Sequence, residues 1–371
     1  MMSNISLTIK PTNACNIRCK HCYHAEEGFD NKIIEIERIF KFLDLAAKQY
    51  NNINILIHGG EPTLCGIEYI RSIFNYEKKL KKKYNVIFKN TIQTNGVLLN
   101  NEWIELFIEN KVNVGISFDG PHNDILREKT ETVLNVINKC REKGLRVGVL
   151  CVESSKSINK LIQTYNWFNN KGISYKILPI FKCGNAKINE SYLMSAEHYV
   201  SELMRFYKYW LQDEKCRIRV NTLEEFTRLF DTQFCMQFGA SCVYHRLALN
   251  SDGSIYPCGR PYDETFMLDN IDNVDEIKVL FQKNGYKKLV GIVNKRKENC
   301  QKACEFFSIC KGGCISNSII DGSMSEIKGA SCLQTHLIFQ NVKYINESFF
   351  NAEIQKVRNP RIRNRVKLCK Y

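Results

Sequence analysis

Three cysteines stand within eight residues in the stretch CNIRCKHC, at Cys15, Cys19 and Cys22, and no fourth follows nearby. Structural zinc normally takes four protein ligands, so three close thiolates suit a metal group with one coordination position left open. An open position means reactivity. In iron–sulfur chemistry four cysteines complete a [4Fe–4S] cluster, and three leave one iron free to bind an exogenous molecule. A second region carries Cys235, Cys242, Cys258, Cys300, Cys304, Cys310, Cys314 and Cys332, which is two complete sets of four. These account for eleven of the seventeen cysteines; Cys65, Cys140, Cys151, Cys183, Cys216 and Cys369 are scattered singly and read as small buried hydrophobes or incidental thiols. A basic zinc protein that binds nucleic acid is the rival reading. Against it, paired C-x2-C units are absent from the second region, and the aromatic interleaving of an RNA-stacking surface is not evident, so nucleic acid is not expected as a partner.

The elements that must position the first three thiols are legible from periodicity. Apolar, β-branched runs at 5–10, 53–58, 86–93, 112–117, 145–152 and 174–180 alternate with helix-like stretches near 33–50, 67–83, 101–110, 130–143 and 156–171. Such alternation implies a parallel sheet with right-handed crossovers. Six strands are too few for a closed eight-stranded barrel, so the fold expected is α/β, a partial (β/α)6 TIM-like barrel with a C-terminal cysteine-rich domain. Ligands of such sheets collect at the carboxyl ends of the strands. There stand the cysteine triplet, HGGEP (58–62), QTNG (93–96) and SFDGP (117–121). Turn chemistry explains one or two of these but not all four beside three thiols.

With 371 residues the chain has room for about two ordinary domains. The barrel is expected over 1–185, a helical bridge over 186–232, the cysteine-rich domain over 233–345 and a basic tail over 346–371. No apolar run is long enough to span a bilayer, and 1–10 lacks the features of a secretory signal. A cytoplasmic place is therefore expected, where thiols stay reduced and clustered cysteines bind metal. A net charge of +14 suits an acidic partner.

The residues so assembled resemble the radical S-adenosylmethionine (SAM) enzymes. CNIRCKHC matches that superfamily's C-x3-C-x2-C signature, and GGEP, QTNG and SFDGP match its later SAM-binding motifs. The stretch from Cys242 through Gly253 and Cys258 to CQKACEFFSICKGGC and Cys332 looks like the SPASM extension, which holds two auxiliary [4Fe–4S] clusters. The resemblance implies three [4Fe–4S] clusters and SAM as cosubstrate. Cys15, Cys19 and Cys22 would hold the first cluster; its open iron would take the amino and carboxylate groups of SAM, which one electron cleaves to methionine and a 5′-deoxyadenosyl radical. Gly59, Gly60 and Glu61 would line the methionine amino group, Ser117 would meet the ribose, Arg127 the carboxylate and Leu150 the adenine, with Gln93 and Asn95 shaping the site. Cys235, Cys242, Cys258 and Cys314 would bind the auxiliary cluster nearer the substrate, and Cys300, Cys304, Cys310 and Cys332 the other. A flavodoxin or ferredoxin-type reductant is implied as a partner.

Three departures refine this. His21 stands where the family usually has an aromatic residue near the adenine, and Cys300 and Cys304 are separated by three residues rather than two. In YPCGRP the residue after Cys258 is Gly259, where anaerobic sulfatase-maturing enzymes, the family members most similar in layout, carry an aspartate base. The function expected is therefore a peptide maturase that abstracts a hydrogen atom from a ribosomally made precursor peptide and installs a carbon–carbon cyclophane-type or thioether crosslink or a related oxidation. Sulfatase maturation to formylglycine, with His24 or Asp263 as the base, is the alternative.

Overall fold

In the computed structural model, residues 2–26, 28–230, 242–260, 263–327 and 329–353 are described. Six parallel strands run in sequence order across one sheet: β1 Met2–Ile9, β2 Tyr50–Ile57, β3 Ile87–Thr94, β4 Asn113–Ser117, β5 Val147–Glu153 and β6 Tyr175–Pro179. The helices between them are α1 Ile36–Ala47, α2 Ile67–Tyr84, α3 Asn101–Glu109, α4 Thr130–Glu142 and α5 Leu161–Lys171. Each forms for a local reason. In α1, Ile39, Phe42, Leu43 and Ala46 recur at helical spacing and are all fully buried. Asn100 caps α3 by accepting from the Trp103 N–H at 3.1 Å. Asn85 ends α2 in the left-handed conformation (φ 54°). On the strands, Ile5, Leu7 and Ile9 alternate inward and meet Ile53, Ile55 and Ile57 in parallel register.

The sheet does not stop at β6. Three short strands of the cysteine-rich region, β7 Arg246–Leu249, β8 Ser254–Tyr256 and β9 Asp269–Asn270, extend it beyond β1, giving the order β6-β5-β4-β3-β2-β1-β7-β8-β9. β7 is parallel to β1, pairing Ser6 with Arg246 and Ile9 with Leu249, whereas β8 and β9 are antiparallel. At four, three and two residues they are too short to show a period of two.

Two boundaries differ from expectation. The stretch near 33–50 yields α1 only to Ala47, because Tyr50 opens β2 opposite Met2. The helix Ala330–Glu353 continues past 345, packed along Ala196–Gln212, where buried Asn346 accepts from the Tyr207 hydroxyl at 2.8 Å and donates to the Phe226 carbonyl at 3.1 Å. Among the described residues no helix is long and apolar enough to cross a membrane.

One buried carboxyl between α2 and β3 affects stability. Glu77 accepts from the Asn90 amide at 2.5 Å, and burial pushes its carboxyl up to about 8. Its folded value exceeds its unfolded one, so the protonated form is favoured by folding; stability falls as pH rises from the unfolded value through about 8. Glu77→Gln can both accept from and donate to Asn90. Its melting temperature should exceed that of the native chain by a few degrees at pH 9, with the gain shrinking below pH 6; a constant gain across that range would refute the assignment.

Candidate active site

A cavity of about 290 Å³ opens at the carboxyl ends of the strands. Each of β1 to β6 contributes to its wall: Cys15, Cys19 and Cys22 after β1, His58 to Gly60 after β2, Gln93 to Asn95 on and after β3, Ser117 at the end of β4, Leu150 on β5, and Leu178 to Phe181 at and after β6. The cysteine loop is held there by backbone pairing that outlasts the strands. The His58 N–H donates to Ile9 O at 2.9 Å, Gly60 N–H to Thr12 O at 2.9 Å and Glu61 N–H to Ala14 O at 2.7 Å. A Cβ at Gly59 would stand 2.5 Å from Thr12 O, and one at Gly60 would collide with the carbonyls of Ala14 and Asn13. Glycine is required here by the neighbouring backbone.

Glu61 lies under this loop rather than on the cavity wall. Fully buried, its carboxylate accepts from the Thr63 N–H (3.0 Å) and hydroxyl (2.6 Å), the Thr94 hydroxyl (2.8 Å) and the Asn95 N–H (2.7 Å). It ties the end of β3 to the turn after β2. Burial raises its carboxyl and those four donors oppose the rise. Asn95 turns back to the cysteine loop, its amide reaching Asn16 Oδ1 at 2.7 Å and Cys15 Sγ at 3.8 Å. Gln93 donates to Ser117 Oγ at 2.9 Å, linking β3 and β4 on the wall.

Arg127 and His21 bring the electrostatics. Arg127 is buried and paired with Asp119 at 2.9 Å, and its guanidinium reaches Cys19 Sγ at 3.9 Å. Asp119, whose other oxygen accepts from the Val152 N–H at 2.7 Å, was not singled out from the sequence, although it sits in the quoted SFDGP. Burial pushes the His21 imidazole well below the usual histidine range, and Arg127 adds to this. His24 lines the cavity with its Nε2 3.1 Å from His58 Nδ1, and Tyr23 Oη lies 3.5 Å from His58 Nε2. His58, Tyr23, Phe181, Cys183 and Arg260 are wall residues to which the sequence reading gave no role; only His58 carried a signal, its place at the end of β2. Asp263 is exposed, accepts from the Thr265 N–H at 2.8 Å as the cap of a short turn, and is not on the wall.

The cysteines fall into groups that act on one another's charge. Cys15 and Cys22 act on Cys19; Cys258 and Cys314 act on Cys242; Cys300, Cys304 and Cys332 act on Cys310. Cys235 lies outside the described residues. The last group borders a second cavity of about 480 Å³. Among the described residues no three His, Cys, Asp or Glu side chains stand at the separation a single metal ion needs. Thiolates around a cube of four irons are spaced more widely than those around one ion, and this all-cysteine donor set fits the larger group. Burial pushes the Cys19 and Cys310 thiols up to about 12 and raises Cys15, Cys22, Cys242, Cys300 and Cys332 as well. Such thiols are protonated until a metal group displaces the proton.

Residues 9–155 match the family model described as the radical SAM superfamily. A cysteine-type anaerobic sulfatase-maturating enzyme from Clostridium perfringens is 28% identical over 340 residues, covering 84% of this chain and 89% of that protein. The fold is that of native anSMEcpe with bound AdoMet and Cp18Cys peptide, at a TM-score of 0.76 and 24% identity over 99% of this chain and 100% of that one. Streptococcus suis SuiB bound to precursor peptide SuiA shares it at a TM-score of 0.63 and 19% identity, over 90% and 76% of the two chains.

The pairing of 12–14 with 58–61 leaves no room for a methyl group. Gly60→Ala should displace the cysteine loop and lower the iron retained per chain after anaerobic reconstitution, with helical circular dichroism unchanged. A full iron load in that variant would show that the loop tolerates displacement.

Proposed function

Because the chain carries a radical SAM domain over residues 9–155, we propose that it is a peptide maturase that removes a hydrogen atom from a residue of a ribosomally made peptide and leaves that residue oxidised. The observation that carries this reading is the sorting of the cysteines into separate groups, the first of them on the wall where all six parallel strands end. In this reading Cys15, Cys19 and Cys22 hold the SAM-binding cluster. Cys242, Cys258 and Cys314, with Cys235, hold an inner auxiliary cluster, and Cys300, Cys304, Cys310 and Cys332 an outer one. When bound, the first cluster and SAM supply the 5′-deoxyadenosyl radical, and the auxiliary clusters accept the electron that oxidation releases. The chain's own residues bind and orient. Gly59 and Gly60 let the SAM amino group approach the backbone, the linked Gln93 and Ser117 face the ribose, Arg127 faces the carboxylate, and His21 and Leu150 pack near the adenine. A flavodoxin or ferredoxin-type protein in the cytoplasm delivers the electron.

The product proposed first is a crosslink, of carbon–carbon cyclophane or thioether type. It is favoured at Gly259, where a Cβ would stand 2.7 Å from Thr8 Cγ2 and 3.1 Å from Thr8 Cβ and Oγ1. Thr8 is buried on β1 and β-branched, so it has little freedom to yield. The place where sulfatase-maturing enzymes keep their aspartate therefore has no room for one. Formylglycine formation is the second reading, favoured by the likeness to the Clostridium perfringens enzyme over most of both chains. His24 on the cavity wall would then be the base, since exposed Asp263 is not among the wall residues.

Anaerobic reconstitution decides between these. About twelve irons per chain, three clusters of four, and 5′-deoxyadenosine on reduction with SAM are expected. Loss of Cys15, Cys19 and Cys22 together should abolish SAM cleavage while sparing the other irons. Incubation with peptides encoded beside the gene should give a mass loss of two hydrogens without water addition. Conversion of a sulfatase-derived cysteine peptide to formylglycine would instead establish the second reading, and an intact three-cluster protein that leaves SAM uncleaved would overturn both.

A further inference from the structure

The cavity holds two arginines in opposite circumstances. Arg127 is neutralised by Asp119. Arg260, reached two residues beyond Cys258, has no carboxylate partner among the described residues. Its guanidinium donates to Asn317 Oδ1 and lies 5.1 Å from the centre of the Phe181 ring. The titratable groups that act on it are the thiols of Cys314, Cys258 and Cys183 and the phenol of Tyr23. Two buried carboxylates behind the wall are both committed elsewhere: Glu61 to Thr63, Thr94 and Asn95, and Asp119 to Arg127 and Val152.

A guanidinium presents five N–H donors in a planar fork that matches a carboxylate with two parallel bonds. One amide oxygen and one aromatic face take up only part of that fork on this half-buried residue of the cavity wall. The missing partner is an anion that arrives with something bound. SAM carries a carboxylate, but Arg127 stands beside the first cysteine group and is suited to it. Thiolates at Cys258 and Cys314 would share their charge with iron. The remaining visitor to the cavity is the peptide, and the chain's net charge of +14 favours an acidic one.

We propose that Arg260 is a specificity-determining residue, which reads the side-chain carboxylate of an aspartate or glutamate within two positions of the peptide residue to be oxidised. The proposal rests on the maturase reading. Phe181 and Asn317 orient the guanidinium, so the acidic side chain fixes which residue comes to rest over the SAM-binding end of the cavity.

The test uses the reconstituted full chain with SAM present. Fluorescence anisotropy reads its affinity for synthetic peptides of one framework, centred on cysteine, tyrosine or tryptophan, with aspartate or asparagine at each of the two positions on either side. At one position aspartate should bind about tenfold more tightly than asparagine, as a charge-assisted pair would. Arg260→Gln should remove that preference, and Arg260→Lys should keep part of it. Iron per chain and SAM affinity should be unchanged in both. Equal binding of aspartate and asparagine peptides to the native chain overturns the role of Arg260 but leaves the maturase reading standing, provided SAM is cleaved. Loss of iron or of SAM affinity in Arg260→Gln, with the acidic preference intact, overturns it in favour of a cluster or SAM contact. Failure of every peptide to bind, with no 5′-deoxyadenosine formed, overturns both.

Discussion

Two stretches of backbone with no side chain between them hold this site together. The loop that carries Cys15, Cys19 and Cys22 has no secondary structure of its own to fix it, and three thiols on a free loop would not keep a common spacing. It is fixed because β1 and β2 go on pairing after both strands have ended, through His58, Gly60 and Glu61 to Ile9, Thr12 and Ala14. The separation is set by hydrogen bonds of 2.7–2.9 Å, and at that distance no Cβ fits at residues 59 and 60. Glu61 then binds the same turn to the end of β3 through two donors, the Thr94 hydroxyl and the Asn95 N–H, while Thr63 supplies two more from within the turn. A site built this way inherits the rigidity of the sheet, which is what a geometry-dependent cluster demands.

Charge is arranged around the same frame. The buried thiols are hard to ionise, so the first and outer groups must gain stabilisation for their thiolates from nearby cations or from metal. Each of these groups has a buried arginine. Arg127 reaches Cys19, and Arg296 acts favourably on Cys300 and Cys332. Arg296 is itself held by the carbonyls of Gly312 at 2.7 Å and Met324 at 2.9 Å, so it cannot swing away to solvent. The scaffold thus meets thiolate charge with positive charge that folding has already fixed in place.

The sequence made the barrel half of this arrangement readable. Long alternating runs locate all six parallel strands within a few residues, and the strand ends fall where the polar motifs are, because chemistry at a parallel sheet has nowhere else to collect. What was not readable depends on pairing across the chain. The resemblance of GGEP to a SAM-binding motif implies a ligand role for Glu61, yet its partners Thr94 and Asn95 come from another strand. Asp119 was invisible as the partner of Arg127 because nothing local ties the two. β7 to β9 were missed because strands of two to four residues carry no period. Cys183 is an isolated thiol in the sequence, and only the fold brings it onto the cavity wall.

Those missed strands decide how far this chain stands from the sulfatase-maturing enzymes. Because β7 lies parallel to β1 and β8 folds back on β7, the segment after β8 is delivered against the carboxyl end of β1. Cys258 arrives there with Gly259 pressed on Thr8, and Arg260 passes beyond to the cavity. The absent aspartate is therefore not one substitution. Thr8 occupies the space from the end of the first strand, Gly259 concedes it just after the eighth, and the next residue adds a cation to the cavity wall. Three positions contributed by two distant strands agree with one another. That agreement is the local geometry on which the proposed crosslinking reading rests against formylglycine formation.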